Sequence, residues 1–254
     1  MFKEGRRYLF LAGFIVIMAF VMPPEKKTKV YLIGDSTMCD YEPRRAPLTG
    51  WGMPFRYFFD STVEVDNHAR GGRSTRTFLS EGRLQPIADN LQEGDYVLMQ
   101  FGHNDEAKEE RYKDRYTPVA DYKINLAKFI AETRAKKAIP ILITPVSRMR
   151  FKDGKQQSTH EEYTAAMYEI AKQMKVLLID LDKKSRELYQ QLGEENTKLL
   201  FMQLAPGEHP AYPEGQKDNT HFNEYGARRI AELVLAGLKE NKVELAERIV
   251  KPKK

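Results

Sequence analysis

The chain has 254 residues, a formal net charge of +5 and 30% charged residues, so it is long enough to bury one sizeable α/β core. Setting aside residues 1–24 removes Lys3, Glu4, Arg6 and Arg7 and leaves about +3, too little for a nucleic-acid footprint. A single cysteine, Cys39, excludes an intramolecular disulfide, and five histidines without His-x-x-x-His or Cys-His spacing give no support to a metal site. No cofactor is expected.

The N-terminus has a basic start at Lys3, Arg6 and Arg7, an uncharged apolar run over residues 8–21, and a break at Pro23-Pro24. This pattern reads as a signal peptide or, lacking an Ala-x-Ala cleavage site, as an uncleaved signal anchor. The run falls short of the about 20 residues a comfortable membrane span needs, and no other membrane contact is expected. Residues 25–254 then form one domain, secreted or periplasmic.

Residues 29–33 are apolar and β-branched and end at Gly34, a strand emptying into the loop Asp35-Ser36-Thr37-Met38. Ser36 therefore sits at the carboxyl end of a strand, the edge where open α/β sheets bind ligands. A second strand, at 62–65, precedes Asn67-His68-Ala69-Arg70-Gly71-Gly72-Arg73-Ser74. A glycine pair past a strand lets a backbone N–H approach a ligand where a Cβ would block it. The third strand, at 96–101, leads into Gly102-His103-Asn104-Asp105, whose asparagine offers an amide N–H. Thr117 as N-cap and Pro118 at the first helical position open the clearest helix, with Val119, Tyr122, Leu126, Phe129, Ile130 and Thr133 on its apolar face.

Strands at 139–144 and 176–180 bracket a helix striped by Tyr163, Ala166, Met167, Ile170 and Met174, and Ile230, Leu233, Val234 and Leu238 stripe the last helix. The alternation predicts a three-layer α/β/α fold with helices on both faces of a central parallel sheet of about five strands. Residues 145–160 and 203–217 are long for connections in such a domain, and with 40–52 they are the expected substrate walls.

Just before the last helix, Asp218-Asn219-Thr220-His221-Phe222 places a carboxylate three residues from a histidine, a spacing that a tight turn or the first turn of a helix would bring together. Ser36 as nucleophile, His221 as base and Asp218 as its partner make an acyl-transfer set. The backbone N–H of Ser36, a glycine N–H from Gly71 or Gly72, and the Asn104 amide supply donors for an oxyanion. Arg70, Arg73 and Arg76 beside the glycines, and Arg148, Arg150, Lys152 and Lys155 in the long loop, are either solvated surface or receivers of carboxylates. Arg73, Arg148 and Arg150 are the candidates for substrate binding.

These four blocks, in this order, resemble the SGNH family of GDSL-type esterases and lipases, whose namesake residues fall at Ser36, Gly72, Asn104 and His221. Gly-Asp-Ser-Thr, Gly72-Arg73-Ser74, Phe-Gly-His-Asn-Asp and Asp-x-Thr-His-Phe with a following Gly226 are similar to the rhamnogalacturonan acetylesterase branch. Met38 departs from the Gly-x-Ser-x-Gly elbow of α/β-hydrolases, which argues for a flavodoxin-like sheet instead. The resemblance implies a serine esterase that removes O-acetyl groups from a plant cell-wall polysaccharide or its oligosaccharides, rhamnogalacturonan first and acetyl xylan as the alternative. A lipid-directed lipase or thioesterase and a non-catalytic carbohydrate-binding protein are the rival readings.

Overall fold

The computed structural model describes residues 27–251; the N-terminal segment expected to direct export, residues 1–24, lies outside them. In chain order the strands are β1 (Thr28–Gly34), β2 (Val63–Asn67), β3 (Tyr96–Gln100), β4 (Ile139–Ile143), β5 (Phe151–Lys152), β6 (Lys155–Gln156), β7 (Leu177–Ile179), β8 (Phe201–Leu204) and β9 (Gln216–Phe222). The helices are α1 (Gly52–Phe55), α2 (Thr75–Ser80), α3 (Gln85–Asn90), α4 (Val119–Ala135), α5 (Glu161–Met174), α6 (Leu181–Thr197) and α7 (Glu224–Glu240). Five strands build one parallel sheet in the order β2-β1-β3-β4-β7, with Val30 opposite both Val65 and Tyr96. β5-β6 and β8-β9 are antiparallel hairpins outside it.

Alternate side chains of each strand enter opposite cores, because successive residues of a strand point to opposite faces. Val30, Leu32, Leu98 and Ile141 pack with Phe55 of α1, Tyr189 of α6 and Ile230 and Val234 of α7. Tyr31, Ile33, Val97, Met99 and Leu142 pack with Phe78 of α2, Ile87 of α3, Phe129 of α4 and Met167 of α5. Helices thus cover both faces, the three-layer α/β/α arrangement that the alternation of elements predicts. α6 is less visible in the sequence: Asp182, Lys183, Lys184, Arg186 and Glu187 crowd around its buried stripe of Leu181, Ser185, Leu188 and Tyr189.

Two local expectations are corrected. α4 begins one residue late, with Pro118 as N-cap in extended conformation. Thr117 is buried outside the helix, its carbonyl accepting the Tyr163 hydroxyl at 2.7 Å. The long connections are partly ordered as hairpins, β5-β6 within 145–160 and the ends of β8 and β9 at the edges of 203–217. Asp218 and His221 accordingly stand on a strand, neither in a simple turn nor on a helix.

The start of α7 is clamped to β8. Asn223 accepts the Gly226 N–H at 2.9 Å and donates to the Leu199 and Phe201 carbonyls at 2.9 and 3.1 Å. A Cβ on Gly226 would lie 1.8 Å from the Leu200 carbonyl oxygen, so the helix can sit this close only with glycine there. Gly226→Ala should destabilise the protein by about 3 kcal/mol through overpacking, read as a lower denaturant midpoint in urea. An unchanged midpoint would mean that α7 moves aside at no cost.

Candidate active site

The sheet order makes β2, β1 and β3 neighbours, so the loops that leave their carboxyl ends bring Gly72, Ser36 and Asn104 to one place. The middle loop is held from below. Asp35 Oδ1 accepts the N–H of Thr37 at 2.9 Å and its hydroxyl at 2.8 Å. The Gln100 amide donates to Thr37 Oγ1 at 2.6 Å, and its oxygen accepts the Trp51 indole N–H at 2.7 Å. All four side chains are buried. Met38 and Cys39 turn back to the Asp35 carbonyl, which leaves Ser36 at the outer corner of the turn. Tyr41 fixes that corner by donating its hydroxyl to the Ser36 carbonyl at 2.8 Å. Cys39 is buried, and burial pushes its thiol up to about 11, so it is no nucleophile at neutral pH.

The histidine arrives on a bulge. Phe201 pairs with Phe222 and Gln203 with Lys217, so the single residue Met202 on β8 faces four on β9, residues 218–221. The surplus backbone arches out and is closed by Asp218 Oδ1, which accepts the N–H groups of Thr220 at 2.7 Å and His221 at 3.0 Å. Asp218 Oδ2 then meets His221 Nδ1 at 2.7 Å, and His221 Nε2 meets Ser36 Oγ at 2.9 Å. Burial works to raise the Asp218 carboxyl, but His221 and the two N–H donors outweigh it and hold it below its ordinary value. The three residues singled out from the sequence are therefore in one hydrogen-bonded line.

Gly72 has φ +79°, a conformation that favours glycine. The backbone N–H groups of Ser36, Gly71 and Gly72 have no backbone acceptor among the described residues. Of the two glycines that the sequence left open, Gly72 alone has the positive φ. Asn104 donates one amide hydrogen to the Arg73 carbonyl at 3.0 Å, which ties the second and third loops together.

The expected arginines divide. Arg73 grips both Glu81 oxygens at 3.1 Å and the Gly71 carbonyl at 2.9 Å, so it braces the glycine loop. Arg148 lines the cleft but pairs with Glu106 and donates to Thr220 Oγ1 at 3.2 Å, next to the histidine bulge. Arg150 is exposed and not part of the cleft wall; the same holds for Lys152 and Lys155. Glu106, absent from the sequence reading, also binds the buried His160 at 2.9 Å. Its only sequence signal is its place two residues past Asn104. The cleft above Ser36 and His221 has a volume of about 1110 Å³ and is lined by many charged side chains.

The family model of GDSL-like lipases and acylhydrolases matches residues 32–229. The chain belongs to that family. It is a carboxylic ester hydrolase of the SGNH type. It is 44% identical over 228 residues to the rhamnogalacturonan acetylesterase RhgT of Bacillus subtilis, covering 89% of this chain and 96% of that one. It is 39% identical over 224 residues to the probable rhamnogalacturonan acetylesterase YesY of the same organism, covering 87% and 97%. Among solved structures, YxiM of Bacillus subtilis superposes with a TM-score of 0.74 at 31% identity, covering 87% of this chain and 58% of that one. A variant of the acetylxylan esterase Axe2 of Geobacillus stearothermophilus shares the fold, with a TM-score of 0.60 at 18% identity over 84% of this chain and 94% of that one.

Two titratable groups lie beneath the site of this family member. Burial drives His103 down to about 4, and it stands 3.3 Å from Asp35 and edge-on to His160. Burial works to raise Asp35, yet His103 first and the Thr37 bonds second outweigh it and bring it net below its ordinary value. Asp105 is pushed up to about 7 by burial, although it accepts the Thr75 N–H and hydroxyl at 2.9 and 2.6 Å. Between about pH 4 and 6.5 an unfolded histidine binds a proton that folded His103 does not, so this group makes stability rise with pH. Between about pH 4 and 7 folded Asp105 holds a proton that the unfolded chain has lost, so it makes stability fall with pH. The two oppose each other. Asp105→Asn, which keeps the acceptor for Thr75, should therefore gain stability from pH 4 to 6.5 more steeply than wild type in urea titrations. Parallel curves would show that Asp105 ionises normally.

Proposed function

We propose that the protein is a carbohydrate acetylesterase that removes O-acetyl groups from rhamnogalacturonan through an acetyl-serine intermediate. The observation that carries this reading is the line Ser36 Oγ, His221, Asp218 at the floor of an open, charged cleft. The rhamnogalacturonan acetylesterases matched over nearly their whole length support the substrate. A lipid-directed reading lacks what it would need, an apolar groove for an acyl chain.

Ser36 Oγ attacks the acetyl carbonyl while His221 Nε2 takes the hydroxyl proton. Asp218 holds the proton on Nδ1 and stabilises the imidazolium that forms. The N–H groups of Ser36 and Gly72 and the Asn104 amide donate to the oxyanion. Collapse expels the sugar oxygen, which His221 protonates, and leaves acetyl-Ser36. Water then attacks the acetyl carbonyl, giving its proton to His221, and acetate departs as Ser36 Oγ regains that proton. Arg73 and Arg148 act by bracing the loops, and binding by Arg150 is set aside. Export through residues 1–24 remains part of the proposal, supported by their basic-then-apolar pattern.

The test is acetate release from acetylated rhamnogalacturonan and acetylated xylan by the protein lacking residues 1–24. Release from the pectic polymer, abolished in Ser36→Ala, is expected; preference for xylan would overturn the substrate, and release from neither would overturn the carbohydrate reading. Asp218→Asn should cost about 10⁴-fold in kcat, since the wrong histidine tautomer would face the serine. A loss under tenfold would remove Asp218 from the mechanism.

A further inference from the structure

Most charges that line the cleft cancel locally. Arg44 pairs with Glu42, Arg148 with Glu106 and Lys108 with Glu162. Arg45, Arg70 and Arg115 have no ion pair among the described residues; Arg45 lies over the Tyr41 ring, and the lining acids Glu109 and Glu161 come within ion-pairing distance of neither Arg70 nor Arg115. Arg70 and Arg115 stand on the oxyanion side of Ser36. Arg70 directly precedes the glycine pair, its backbone N–H bound to the Gly34 carbonyl at 3.0 Å. Gly71 packs against the nucleophile: a Cβ there would be 3.7 Å from that of Ser36.

Arg115 comes from the loop that carries Asn104. Its guanidinium lies 3.7 Å over the Tyr112 ring, and its Nη1 would be 3.4 Å from a Cβ on Gly72. The Nε is buried without a hydrogen-bond partner among the described residues. A guanidinium stacked on an aromatic ring has lost much of its freedom before any ligand arrives, so less is lost when its planar fork takes a carboxylate. No acidic side chain among the described residues pairs with the guanidinium, so its fork stays open to a carboxylate from substrate.

We propose that Arg115, assisted by Arg70, binds the carboxylate of a uronic acid residue in the polysaccharide, beside the acetyl group being removed. This rests on the carbohydrate reading above, whose substrate already carries uronic acids, and names the side chains that hold the acid group. It also moves recognition away from Arg73, Arg148 and Arg150, whose guanidiniums are braced elsewhere or outside the cleft.

The experiment compares acetate release from an acetylated galacturonate-containing oligosaccharide with release from the same oligosaccharide after methyl esterification of its carboxylates. Wild type should prefer the free acid by about tenfold or more in kcat/KM, as expected of a charge-assisted bidentate contact. Arg115→Ala should abolish the preference, chiefly through KM. Arg115→Lys, keeping the charge without the fork, should restore part of it, and Arg70→Ala should reduce it less. Thermal melting of each variant separates misfolding from lost recognition. Equal use of both forms by wild type, or equal losses on both forms in Arg115→Ala, would overturn the assignment while the carbohydrate reading stands. Hydrolysis of 4-nitrophenyl acetate with neither oligosaccharide cleaved would overturn both.

Discussion

The site depends on a buried hydrogen-bond chain, Trp51 to Gln100 to Thr37 to Asp35, that holds the turn after β1. Each member would be costly in an apolar core alone, because an unpaired buried polar group loses its water without replacement. Together they satisfy one another and leave the turn a single conformation. Ser36 is carried on the outside of that turn, so its position follows from bonds made by its neighbours. Gln100 matters most, since it ends the central strand and accepts from one side of the chain while donating to the other. A polar side chain at the end of an otherwise apolar strand is the local cost of a fixed nucleophile.

The second constraint is the β9 bulge. A regular antiparallel strand would send Asp218 and His221 to opposite faces, since side chains alternate. The surplus of backbone opposite Met202 breaks that alternation, and the Asp218 carboxylate closes the arch with one oxygen while the other orients the imidazole. One residue thus shapes the backbone and serves the histidine. Phe222 anchors the arch from behind, fully buried and bonded through its carbonyl to Thr49 N–H at 2.9 Å. Arg148 reaches in from the 145–160 connection to Thr220, so three separate segments set the position of the base.

Charge has two uses around the cleft. Arg73 with Glu81, and Arg148 with Glu106, stiffen the loops that carry Gly72 and the histidine arch. These pairs are partly exposed, so they contribute modestly to stability; their effect is geometric. Arg70 and Arg115 are left for a ligand. The same residue type, in clusters that look alike along the chain, therefore serves opposite purposes according to which acid lies nearby.

The sequence by itself determined the parts that local pattern can encode. Alternating or continuous apolar runs placed the five parallel strands to within a few residues, because period and β-branching are properties of the segment. Loops rich in glycine and short polar residues after β1, β2 and β3 marked where Ser36, Gly72 and Asn104 stand, and strand ends in such a sheet share one edge. Tertiary structure decided what depends on partners distant in the chain. The β8-β9 register put Asp218 and His221 on a bulged strand, Thr117 was drawn out of α4 by Tyr163, and Glu81 and Glu106 claimed Arg73 and Arg148. Hydrogen bonds and ion pairs act over a few ångströms in space whatever the separation along the chain, so no local reading can assign them.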